Sequence, residues 1–257
     1  MFDLQLTGKV AVITGGSDGL GKASALRLAQ EGCRVAICAR RDDHLEIAAG
    51  DIRDASGAEV LAIPADVTNV TDVENFFAAI MRQFGGVDIL VNNAGRSAAA
   101  SFEKVDDADW MADLELKVLG AVRCCRLAIP SMRARGGGSI INAAIVGGKA
   151  PAAAALPTTV SRSAGINLTK ALANEYAGDN IRVNAICIGL LKSAQWERRA
   201  TGAALVKLYQ DLGQRVPLGR VGEAEDYADL VAFLASARAA YITATAINLD
   251  GGMSAAV

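Results

Sequence analysis

Short, wholly apolar runs alternate along this chain with longer stretches of helical periodicity. Val10–Ile13 is the first such run; a glycine-rich turn follows, and then K-A-S-A-L-R-L-A, whose apolar residues recur at helical spacing. Arg34–Ala39 (R-V-A-I-C-A) reads as a second buried strand, Glu59–Pro64 as a third and Ile89–Val91 as a fourth. Between the last two, Val70–Phe84 carries a helical period and stops at Gly85-Gly86. Strands without polar alternation belong to parallel sheets covered on both faces. Their alternation with helices predicts an α/β fold: a doubly wound parallel sheet in three layers, α/β/α, forming a single domain over residues 1–257.

Composition agrees with a large core, at 52% hydrophobic and 21% charged residues over 257 positions. A formal net charge of −2 and no basic block leave no electrostatic footprint for nucleic acid or an anionic membrane. No apolar run approaches the roughly 18 residues of a membrane span, and Met1–Lys9 lacks the pattern of a leader, so a cytoplasmic location is expected. Five cysteines without ligand spacing argue for a reducing compartment and for thiols used as small core residues. Cys33, Cys38 and Cys187 fall in or beside strands, and Cys124 and Cys125 on a helix. The only histidine, His44, falls at a helix start and reads as solvated; no metal site is expected.

The candidate chemistry begins at V-A-V-I-T-G-G-S-D-G-L-G, Val10–Gly21. A strand that feeds glycines into a helix start presents backbone N–H groups and the positive end of a helix dipole to an anion, so the expected ligand is a dinucleotide pyrophosphate on a Rossmann fold. After the second strand stand Arg40 and Arg41, where a dinucleotide fold meets the adenosine ribose. Arginine there suits a 2′-phosphate, which favours NADP(H) over NAD(H).

Several motifs occur together in one order: T-G-x-x-x-G-x-G from Thr14, Asp66-Val67, N-N-A-G at Asn92–Gly95, G-S-I-I-N at Gly138–Asn142, N-L-T-K at Asn167–Lys170, R-V-N-A-I at Arg182–Ile186 and Asp250-Gly251-Gly252. With them the chain resembles the short-chain dehydrogenase/reductase family from about Leu6 to Met253. The resemblance implies a pyrophosphate held by Gly15, Ser17, Asp18, Gly19 and Leu20, an adenosine phosphate at Arg40 and an adenine at Asp66 and Val67. It places Asn93, Ala94 and Gly95 along the nicotinamide ribose. Where the family usually has Pro-Gly and then a threonine for the carboxamide, this chain has Ile188-Gly189 and Ser193. A small-molecule substrate and a homo-oligomer, dimer or tetramer, are implied as well.

The family's chemistry rests on Asn, Ser and Tyr-x-x-x-Lys, and the flanking motifs align these with Lys117, Ile145, Thr158 and Arg162. An aliphatic hydroxyl is a far weaker acid than a phenol, guanidinium keeps its proton, and isoleucine neither donates nor accepts. Lys117 is then the one new group able to act as a general acid or an anion clamp, its proton affinity lowered by partial burial and by Arg162. Arg162, on one helix face with Thr158, is expected to bind the ribose or to orient a substrate, such as one bearing a carboxylate. Two readings stay open: an oxidoreductase with a reworked site, or a catalytically silent nucleotide-binding pseudoenzyme, regulatory or partner subunit. Residues 194–215, with Trp196, Glu197, Arg198 and Arg199, read as a substrate-covering lid, with Pro151–Pro157 beside it.

Overall fold

Every residue of β1 (Val10–Thr14) is buried, and successive side chains enter different layers: Val10 and Val12 join one apolar cluster, Ala11 and Ile13 the other. A strand covered on both faces needs apolar residues throughout, which is why its sequence lacks alternation. The computed structural model describes residues 3–193 and 200–256. In it β1 is followed by α1 (Gly19–Gln30), β2 (Arg34–Ala39), α2 (Asp42–Ser56), β3 (Val60–Pro64), α3 (Val70–Phe84) and β4 (Ile89–Asn92). The second half holds α4 (Asp107–Leu114), a π-helical turn (Glu115–Leu119), α5 (Gly120–Ala134), β5 (Gly138–Ile145), α6 (Thr158–Tyr176), β6 (Ile181–Ile188), α7 (Gly202–Gly213), α8 (Ala224–Ala235) and β7 (Ala246–Leu249).

The seven strands run in the order β3-β2-β1-β4-β5-β6-β7, and every pairing is parallel. Leu28 of α1, Leu45 and Ile52 of α2 and Val231 of α8 cover one face; Phe76 and Ile80 of α3, Cys124 and Met132 of α5 and Ala173 of α6 cover the other. Burying each large apolar side chain contributes about 1.5–3 kcal/mol, so the two layers carry most of the driving force. The doubly wound sheet is as the apolar pattern predicts. α3 has the predicted bounds because Asn69 accepts from the amides of Thr71 and Asp72 at one end and Gly85 takes φ 74° at the other.

Two features of this frame position the site. The strand order reverses between β1 and β4, which opens a crevice beyond their carboxyl ends. Across β4, β5 and α6, Asn92 Nδ2 donates to Asn142 Oδ1 (2.8 Å) and Asn142 Nδ2 to Thr169 Oγ1 (2.9 Å), a buried chain of amides that fixes α6 against the sheet. The helical stretch over 107–134 is divided, since the π-helical turn intervenes between α4 and α5. At the opposite, amino-terminal pole, buried Asp88 accepts from the Val10 amide (2.8 Å) and from Arg135 Nε (3.0 Å).

Candidate active site

Two cavities, roughly 370 and 410 Å³, open at the carboxyl ends of β1 and β4 and share Gly15, Ala94, Gly95 and Arg96, so they form two halves of one cleft. The smaller half is lined by Ser17, Arg40, Arg41, Asp66 and Val67. The larger holds Asp18, Gly19, Leu20, Asn93, Ile145, Thr158, Arg162, Gly189 and Ser193. Every predicted cofactor residue therefore borders the cleft.

The glycine loop is shaped by its own backbone. Gly15 has φ 67°, and a Cβ on Gly21 would stand 2.1 Å from the Gly15 carbonyl oxygen, so the first turn of α1 rests directly on the loop. Thr14 Oγ1 accepts from the amides of Asn93 (3.1 Å) and Ala94 (3.0 Å), and Asn93 Nδ2 donates to the carbonyls of Thr14 (3.1 Å) and Gly15 (3.2 Å). These bonds staple the N-N-A-G segment to the glycine loop. Asp18 caps α1: its Oδ1 accepts from the Gly19 amide at 2.7 Å, so the carboxylate is engaged by the helix it begins. Asp66 Oδ1 accepts from the amide (2.9 Å) and hydroxyl (2.8 Å) of Thr68. Arg40 is exposed at the cavity mouth.

The Thr158 side of the larger half is made of side chains. Lys117, on the π-helical turn, has no exposed side-chain surface, a deeper burial than the sequence implies. It donates to Asp113 Oδ1 and, at 3.0 Å, to Thr158 Oγ1. Thr158, the first residue of α6, also accepts from the Ala98 amide at 2.8 Å. Ser161, one turn along α6, donates to Asp113 Oδ2 at 2.6 Å. Lys117 is held down to about pKa 8: burial lowers it most, Asp113 opposes the shift, and the charges of Arg162 and Arg96 add to it.

Arg162 reaches the site with one end held by the protein. Its Nη1 donates to the Ala143 carbonyl (2.6 Å), Nη2 lies against Gly95, and Nε is enclosed with no partner. Ile145 ends β5 and contributes an apolar wall. Gly189 closes β6, with Asp250 so near that a Cβ would stand 2.5 Å from it. Trp196, Glu197, Arg198 and Arg199 lie outside the described residues, and the rest of the expected lid contains α7.

The sequence reading missed Asp113 and Ser161. Both were visible as partners, since D-L-E-L-K sets an acid four residues before Lys117 and Ser161 lies three after Thr158. Helical spacing favours Asp113, four residues before Lys117, over Glu115, two before, and Glu115 pairs with Arg123 instead. All five cysteines are buried, and burial raises the Cys38 thiol to about 12. His44 is exposed and lines neither half of the cleft. Among the described residues no group of His, Cys, Asp and Glu could hold a metal, and no helix is long and apolar enough to cross a membrane.

A parallel sheet with a glycine loop and an N-N-A-G segment stapled at its switch point defines a dinucleotide-type crevice, and comparison with known proteins places it. Residues 15–254 match the enoyl-(acyl carrier protein) reductase family, and the chain belongs to the short-chain dehydrogenase/reductase family. It is 33% identical to the 3-oxoacyl-(acyl-carrier-protein) reductase FabG of Thermotoga maritima over 97% of this chain and 99% of the relative. The L-sorbose reductase of Gluconobacter frateurii, solved with NADPH and L-sorbose, superposes with a TM-score of 0.95 at 36% identity, covering 100% of both chains. A variant of actinorhodin polyketide ketoreductase, solved with NADPH, gives 0.89 at 33% identity over 96% of this chain and 97% of that one.

Proposed function

We propose that the protein is an NADP(H)-dependent oxidoreductase that interconverts a carbonyl and an alcohol, with Thr158 facing the reacting oxygen and Lys117 behind it as proton reservoir. The observation that carries this reading is the bonding of the Thr158 hydroxyl. It accepts from Lys117 Nζ (3.0 Å) and from the Ala98 amide (2.8 Å), which occupies both lone pairs and leaves its own hydrogen to donate. Thr158 borders the larger half of the cleft, so that donation is available to a substrate oxygen. In reduction, Thr158 Oγ1 gives its proton to the developing alkoxide as Lys117 Nζ passes one to Thr158 Oγ1; oxidation runs the two transfers backwards. Bound NADP(H) supplies or takes the hydride.

This arrangement replaces Tyr-x-x-x-Lys on the alignment of Thr158 and Arg162 with that pair, of Lys117 with the asparagine and of Ile145 with the serine. Lys117 can make an aliphatic hydroxyl a competent donor because the alkoxide left behind is never free: a cation and the amino-terminal end of α6 both face it. Arg162 adds positive potential beside Gly95, with Nη1 held by the Ala143 carbonyl. Arg40 and Arg41 at the adenosine end support NADP(H), as do the NADPH complexes of the two solved relatives. Asp18 serves through its backbone alone.

The test is a titration with NADPH and NADH followed by nicotinamide fluorescence, then NADPH consumption with 3-oxoacyl thioesters and ketoses as probes. Tight NADPH binding and turnover that disappears in Lys117→Met and Thr158→Val are expected. NADPH binding with turnover unaltered in both variants overturns the proton path, binding without turnover of any probe favours the silent nucleotide-binding reading, and no nicotinamide binding overturns the enzyme.

A further inference from the structure

We propose that Asp113, anchored by Ser161, is a positioning residue that aims the Lys117 ammonium at Thr158 and keeps it protonated in a site otherwise hostile to a cation. The inference rests on the proton path above. Asp113 is only 2% exposed and lines neither half of the cleft, so it acts through Lys117 and not on a substrate. One carboxylate oxygen takes Lys117 Nζ and the other takes the Ser161 hydroxyl at 2.6 Å. That second bond prevents rotation of the carboxylate, and with it any drift of the ammonium away from Thr158.

The groups facing Lys117 explain why it needs such a partner. From α6 come Arg162, a cation, and the neutral hydroxyls of Thr158 and Ser161; from the segment after β4 comes Arg96, also a cation. Asp113 on the preceding turn supplies the negative charge. A buried ammonium among two guanidinium groups loses its proton readily once its counter-ion is gone. Without Asp113, Lys117 becomes a neutral amine near neutral pH, with no proton to pass to Thr158.

The experiment follows the Lys117 side chain directly, in full-length protein loaded with NADPH and labelled with 15N,13C-lysine, its resonance assigned with Lys117→Arg. Wild type is expected to titrate near pH 8. In Asp113→Asn the midpoint drops by roughly one to three pH units, and Asp113→Glu recovers most of the shift. A midpoint that stays put or rises in folded Asp113→Asn overturns the proposal. Should Asp113→Asn fold poorly, thermal melts of Asp113→Asn/Lys117→Met decide: removing the stranded lysine restores the melting temperature if the two are a pair, and no recovery overturns the pairing. These readouts need no turnover, so a shifted midpoint alongside full activity in Lys117→Met sinks the proton path and leaves the pairing standing.

Discussion

The glycine loop along the cleft is shaped by backbone contacts and the cluster behind Thr158 by buried side chains, and the two respond to sequence change in opposite ways. In the first, Gly15 and Gly21 bring loop and helix into contact, and Thr14 and Asn93 clamp the loop through main-chain partners. That geometry tolerates an aspartate at position 18, because the carboxylate turns into the cap of α1. In the second, Asp113, Lys117, Thr158 and Ser161 converge from the turn around the π-helical segment and from α6, and each makes sense only with the others. A backbone-built site keeps its ligand class through many substitutions; a side-chain-built site can exchange one proton-handling set for another on an unchanged frame.

Filling the backbone contact is the harshest way to break this contrast. Gly21→Ala drives a methyl into the Gly15 carbonyl and is expected to cost about 3 kcal/mol, with NADPH binding lost; a thermal melt and a fluorescence titration read both. On the other side, Lys117→Met is expected to slow turnover by roughly 10²–10⁴-fold while NADPH still binds, as a missing general acid does. If NADPH binding fails along with turnover, the two halves are not separable. Arg40→Ala comes next. Removing a charged contact to phosphate, worth about 1.5–3 kcal/mol, should weaken NADPH by about tenfold or more and leave NADH unchanged.

Acidity sharpens the contrast further. On the proposed proton path reduction needs Lys117 protonated, so its rate is expected to fall as pH rises through about 8. The stability effect has the opposite sense. Lys117 holds its proton less tightly folded than unfolded, where lysine titrates near 10.4, so between the two values the unfolded chain binds more protons and stability rises with pH. The penalty of burying Lys117 is thus full below about pH 8 and fades toward pH 10.4. The melting-temperature difference between wild type and Lys117→Met should accordingly move in favour of wild type between pH 7 and pH 10. The smallest effect lies far from either half: Lys9→Ala removes a half-exposed 3.6 Å ion pair to Asp88, expected to change stability by under ~0.5 kcal/mol and turnover not at all.

Reading the chain from its sequence succeeded where local rules suffice. The apolar runs marked the first four strands to within a residue at each end, since a strand covered on both faces leaves no polar position to confuse it. The glycine spacing and N-N-A-G marked the cleft, because a tight loop needs those residues whatever surrounds it. Aligning the flanking motifs brought Lys117, Thr158 and Arg162 to one place, and all three meet there. It did not reveal Asp113 or Ser161, nor the hold of the Ala143 carbonyl on Arg162 Nη1.

By itself the sequence determined the layered sheet and the dinucleotide-type loop, because periodicity and glycine stereochemistry act over a few neighbouring residues, while the family resemblance brought Lys117, Thr158 and Arg162 together. Only the tertiary structure decided that the Lys117 ammonium is sealed from water against Asp113 and that the Thr158 hydroxyl keeps its hydrogen free to give. Those facts depend on which face of the turn before α5 is pressed against α6, and burial of a charge is a property of everything packed around it.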